Sequence, residues 1–114
     1  MQFGIRLHDA VQAPVEERLK IVKEQGFTCA HVALSKVISE NSVAPEALTP
    51  GYAMYLRRLF DKYELDCAVL GCYLNLATPD AAQLKAAQEK YMANIRFAAH
   101  LSAGVVGTET GAPN

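Results

Sequence analysis

Three prolines, Pro14, Pro50 and Pro79, each stand at the head of a stretch whose apolar residues recur at helical spacing. Each stretch follows a short apolar run, and a fourth such run closes the series. Proline suits the first turn of a helix because its missing N–H would be unpaired there anyway. Alternation with a period of two marks strands, and recurrence at three to four residues marks helices. The chain therefore reads strand–helix three times and then a fourth strand. Strands that alternate with helices run parallel and are joined by right-handed crossovers, which constrains the fold more than any single residue does.

The alternation predicts four strands. The first, 3–8, has Phe3, Ile5 and Leu7 on one face and Gly4, Arg6 and His8 on the other. The second, 29–35, sets Ala30, Val32 and Leu34 against Cys29, His31, Ala33 and Ser35. The third, 66–76, is almost continuously apolar, as a strand buried on both faces is. There Ala68, Leu70, Cys72 and Leu74 oppose Val69, Gly71, Tyr73 and Asn75. The fourth is Val105-Val106-Gly107, running into Thr108-Glu109.

The first helix starts at Pro14, buries Val15, Leu19 and Val22, and stops at Gly26. The second starts at Thr49-Pro50, with Tyr52, Tyr55, Leu56, Leu59, Phe60 and Tyr63 on one side. The third starts at Pro79-Asp80, with Asp80 and Gln83 spaced as a capping box, and ends at Gly104. Its buried side is expected to be Leu84, Ala87, Tyr91, Ile95, Ala98 and Leu101. Residues 36–48 read as a loop with room for one helical turn.

If each strand lies beside its predecessor, the order 1-2-3-4 is that of a β/α barrel, here half of a TIM-type barrel in a single domain over 1–114. A doubly wound sheet is the alternative. It usually carries a glycine-rich phosphate turn after its first strand, where this chain has His8-Asp9-Ala10-Val11. A hydrophobic fraction of 51% with 20% charged residues is a globular composition. Eleven basic residues against 12 acidic ones leave a net charge of -1, which offers no electrostatic attraction to nucleic acid or an anionic membrane. The run from Cys67 to Leu74 is too short to span a bilayer, and Arg6, His8 and Asp9 break any signal-peptide pattern. Cys29, Cys67 and Cys72 fit neither a disulfide framework nor a zinc knuckle, so they read as reduced thiols of a cytoplasmic protein.

The more polar faces of the four strands converge at their C-terminal ends on His8, Ser35, Asn75 and Glu109. A barrel enzyme keeps its binding and acid–base groups there. Glu109 is the strongest candidate, since an inward carboxylate at a strand end is costly without a partner. His8 is either functional or the cap of a loop, His31 a satisfied core histidine, and Arg6 the partner of a carboxylate inside the structure, which need not belong to these residues. Tyr73 fills space or lines the pocket, and Asn75 binds or holds its turn. Glu40 and Glu46 read as solvated. No Ser-His-Asp or Cys-His arrangement and no self-sufficient metal spacing is present in the sequence.

Phe3-Gly4-Ile5-Arg6-Leu7-His8-Asp9, Val69-Leu70-Gly71-Cys72-Tyr73-Leu74-Asn75-Leu76 and Val105-Val106-Gly107-Thr108-Glu109-Thr110-Gly111 resemble strands one, three and four of the sugar phosphate isomerase/epimerase family. These are the xylose isomerase-like β/α barrels. The resemblance implies a divalent-metal enzyme, using manganese, magnesium or zinc, that moves a proton or hydride between neighbouring carbons of a sugar or polyol. It carries only a pocket role onto His8, Tyr73, Asn75 and Glu109, since the family's glutamate acid–base pair has no counterpart in these residues; by their strand-end positions Glu109 and His8 are the catalytic candidates and Tyr73 and Asn75 the substrate-binding ones. The family's metal ligands lie mainly on strands five to eight, so the resemblance implies an N-terminal half that is catalytically incomplete by itself. The endonuclease branch fits less well, because Asn75 stands where a metal-binding histidine is wanted. Alternatively, a half-barrel with two open sheet edges is expected to self-associate as a homodimer, acting as a structural or small-molecule-binding module.

Overall fold

The computed structural model of the chain describes residues 2–108. Glu109, the strongest acid–base candidate of the sequence, lies outside them. The sheet holds four parallel strands in the order β1-β2-β3-β4: Gly4–Arg6, Cys29–Ala33, Asp66–Gly71 and Val105–Gly107. Helices alternate with them: α1 (Val15–Glu24), α2 (Leu34–Val37), α3 (Pro50–Lys62) and α4 (Ala81–Leu101). The expected α/β architecture and strand order are both present. β1 and β4 are the outer strands, each paired on one side among the described residues. No helix among those residues is long and apolar enough to cross a membrane.

The helix starts follow the sequence signals. Thr49 caps α3, its hydroxyl accepting from the Tyr52 N–H at 3.2 Å, with Pro50 in the first turn. Asp80 caps α4, Oδ1 accepting from the N–H groups of Ala82 and Gln83 at 2.8 and 3.3 Å. The reciprocal arm of the capping box is used otherwise: the Gln83 amide oxygen accepts from the Thr78 hydroxyl at 3.0 Å. Asp80→Ala orphans two N–H groups of a 21-residue helix and is expected to cost about 1 kcal/mol in urea unfolding. α1 has no side-chain cap of its own from Pro14. Glu40 supplies one from a distant loop, accepting from the Val15 N–H at 3.3 Å, so this carboxylate is not merely solvated. Gly26, at φ +96°, ends α1 in the left-handed conformation that glycine adopts freely. α4 stops earlier than Gly104, at Leu101, through a left-handed Ser102.

The core lies between the sheet and the helices. Leu19 and Val22 of α1, Leu56 and Phe60 of α3, and Phe97 and Leu101 of α4 pack on Ala30, Val32, Cys67 and Leu70 of the strands. Burial of that apolar surface supplies the main driving force for the fold. A polar clasp ties α1 to α3 outside it. Glu16 accepts from Lys62 Nζ at 2.7 Å and from the Tyr63 hydroxyl at 2.9 Å, and these donors hold the Glu16 carboxyl below its usual range. Of the expected helix stripes, Tyr55 and Ile95 are exposed. Ala53 takes the buried place in α3, and Ala93, Asn94 and Phe97 take it in α4.

Three strands are shorter than their alternation suggested. After Arg6 the chain closes a 3-10 turn, Leu7–Asp9, with Ala10 N–H donating to Leu7 O at 3.1 Å. After Ala33 it enters α2, so Ser35 stands on a helix and not at a strand end. Leu34, Val37 and Ile38 are buried at helical spacing, which is the apolar pattern that turns the backbone there. β3 stops at Gly71, before Tyr73 and Asn75. Its register also slips once. Ala30 pairs with Cys67 and His31 with Val69, so Ala68 has no partner opposite it. Cys67 consequently faces the core while Ala68 is exposed, a correction to the strict alternation, in which Ala68 shared the face of Leu70.

Candidate functional site

Three rings meet beside the ends of β1 and β3. His8 comes from the turn after β1, His31 from the middle of β2 and Tyr73 from two residues beyond β3. Ring centroids lie 6.0 Å apart for His8–His31, and 6.2 Å for both His8–Tyr73 and His31–Tyr73. All three pairs are edge-to-face, the arrangement that sets the positive rim of one ring against the negative face of the next. Lys36 of α2 completes the cluster, with Nζ 4.7 Å from the Tyr73 centroid.

Gly71 makes this cluster fit. A Cβ on Gly71 would collide with His31 Nε2. Glycine inside a strand marks close approach by another group, and here the group is an imidazole. An open trough of about 250 Å³ is lined by Gly4, Arg6, Cys29, His31 and Ala68.

Charges around the rings are arranged unevenly. Arg6 Nε donates to Asp9 Oδ2 at 2.8 Å in an exposed pair within its own turn, not to a carboxylate inside the structure as expected. His8 Nε2 lies 4.0 Å from Asp9 Oδ1, and His8 Nδ1 is buried without a hydrogen-bond partner among the described residues. Burial pushes the His31 imidazole below its ordinary value, and the charges of His8 and Arg6 add to that. His31 is therefore neutral at pH 7, able to donate from one ring nitrogen and accept at the other. The unfolded chain binds this proton more tightly than the folded one. Stability is expected to fall as pH drops from about 6.5 towards the lower folded midpoint. Urea midpoints at about pH 7.5 and about pH 5 check this, with His31→Gln flattening the difference.

Arg18 was not among the residues the sequence singled out. It is 2% exposed, its Nη1 donating to Leu7 O at 3.2 Å and its Nη2 to Gln12 Oε1 at 3.5 Å and Ala13 O at 3.4 Å. These contacts pin the loop that carries His8. Its position was the available signal: 15, 18, 19 and 22 are one helical stripe, and residue 18 is its only charge. Lys36 was hidden because the turn into α2 was expected as loop.

The other candidates are placed less centrally. Asn75 is exposed, and its Oδ1 accepts from the Ala77 N–H at 3.1 Å, closing a side-chain turn. Ser35 lines a small recess with Tyr73, Lys90 and Asn94. Cys67 and Cys72 are buried, and burial pushes the Cys67 thiol up to about 12, which removes thiolate character at neutral pH. Among the described residues no three His, Cys, Asp or Glu side chains come together as a metal site. His8 and His31 are two such groups, and the nearby Asp9 is engaged by Arg6. The described residues thus do not fit a divalent ion by themselves. No protein-family model and no curated protein matches this chain.

Proposed function

We propose that β1–β4 are four consecutive staves of a sugar phosphate isomerase/epimerase-like β/α barrel, and that the ring cluster forms part of its pocket for a sugar or polyol. The observation that carries this is the meeting of His8 from the turn after β1, His31 from β2 and Tyr73 from just beyond β3, with Gly71 keeping the space open. Ligand sites in parallel α/β folds collect at the C-terminal side of the strands. Small-molecule pockets combine apolar surface with a few directed polar groups. Here the faces of Tyr73 and the imidazoles accept the C–H side of a sugar, and the ring nitrogens and the tyrosine hydroxyl bond its hydroxyls.

In this proposal the chain binds and orients, while the divalent metal that family chemistry needs takes its ligands elsewhere. Glu109, two residues after β4 in sequence, is the carboxylate offered for proton transfer, and Asn75 borders the pocket. Titration of this chain with aldoses, ketoses, cyclitols and their phosphates, followed through the ring resonances of His8, His31 and Tyr73, tests the pocket. Shifts of those resonances by one class of polyol, lost in Tyr73→Ala, support it. A full panel that leaves all three rings unmoved overturns it.

A further inference from the structure

The outward face of α4 carries apolar residues that the monomer leaves uncovered. Met92 is 51% exposed and Ile95 41%, and Tyr91 beside them is half-buried. Together with Gln88 they line an open groove. Glu89 and Arg96 adjoin Met92 along a second groove, whose far rim is Pro45 and Glu46. Neither Glu89 nor Arg96 forms an ion pair among the described residues.

Helix geometry fixes how these groups are distributed. At about 100° and about 1.5 Å per residue, Glu89 and Arg96 lie about 60° and about 40° to one side of Met92. Ile95 and Tyr91 lie about 60° and about 100° to the other side. Along the axis, Glu89 is about 4.5 Å before Met92 and Arg96 about 6 Å after it.

We propose that this face docks a second copy of the chain, the two α4 helices running antiparallel about a two-fold axis at Met92. Such an axis reverses direction along the helix and keeps each flank on its own side. Arg96 of the partner subunit then arrives within about 1.5 Å, along the axis, of Glu89. The same pair forms a second time by symmetry. On the opposite flank the Ile95 and Tyr91 side chains of both copies close over one another, and Met92 meets Met92 at the centre. One helix pair buries less than the roughly 800 Å² per partner of a standard interface, so the dimer is weak and concentration-dependent. This surface is separate from the ring cluster and does not depend on what that cluster binds.

Sedimentation equilibrium over a range of concentrations tests the proposal, with circular dichroism confirming that each surface variant is folded. The native chain is expected to dimerise, and Met92→Glu to weaken dimerisation by about tenfold or more. Glu89→Arg and Arg96→Glu each set like charges opposite one another and weaken it. The double variant Glu89→Arg/Arg96→Glu restores the pairing and recovers the native constant. A chain that stays monomeric throughout overturns the proposal. So does a dimer indifferent to Met92→Glu, which would instead join through the open edges of β1 and β4. A dimer that Met92→Glu breaks but the double reversal does not restore overturns the antiparallel arrangement.

Discussion

Arg18→Ala is expected to lower the unfolding free energy by about 2–4 kcal/mol. The side chain is 2% exposed, and its removal leaves a cavity in the stripe between Val15 and Val22. It also takes away the donors that serve Leu7 O, Gln12 Oε1 and Ala13 O. Arg18→Met separates the two contributions. Methionine fills much of the same volume and makes no hydrogen bonds. The native guanidinium is also buried among neutral oxygens, with its Nε lacking a partner among the described residues, which is itself costly. Arg18→Met is therefore expected within about 1.5 kcal/mol of the native protein. Urea midpoints at unchanged slope measure both variants. An alanine variant as stable as the native chain would mean that the 7–13 loop holds its shape without Arg18.

Gly71→Ala has its largest expected effect on the site and not on the fold. The new methyl group falls where the His31 ring end sits. His31 also lines the open trough, and an imidazole that turns away from the new methyl group keeps the stability cost to about 1 kcal/mol. Turning away breaks two of the three ring contacts, because His31 meets both His8 and Tyr73. On the proposed reading of the rings as a polyol pocket, affinity for that ligand is expected to fall about tenfold or more. Ring resonances report the rearrangement without ligand, and calorimetry reports the lost affinity. Unchanged ring contacts in Gly71→Ala would place the room for His31 elsewhere.

Much of the scaffold was legible in the sequence because it depends on local chemistry. Thr49 and Asp80 mark helix starts through hydrogen bonds made within one turn, Pro14 and Pro50 through a missing N–H that the first turn does not need, and the strand–helix alternation carries the parallel order. The site was legible in part. His8 and Tyr73 stand where the alternation aimed them, although both follow the end of their strands. Ser35 was misplaced because Leu34 continues the alternation of β2, while Val37 and Ile38 draw the same stretch into α2. His31 was read as a core residue, since its spacing to Gly71 is set by strand pairing and not by anything nearby in the chain. Arg18 escaped notice for the same reason. Its place in the buried stripe of α1 was readable, but the carbonyls it serves, eleven residues upstream at Leu7 in the longest case, were not.

Ala68, opposite no residue of β2, means that β3 carries one residue of slack. Counting by twos from Asp66 would send Leu70 to the open face and Gly71 to the helices, inverting everything that follows. The slip absorbs that count, so Leu70 reaches the core and Gly71 still faces His31. A shortening of β3 by one residue at Ala68 would therefore leave Tyr73 facing the same way and make the pairing regular. A one-residue change in β2, whose residues are each paired with β3, has no such reserve. Tolerance to changes of length is thus concentrated in a single strand, directly upstream of the ring that completes the cluster.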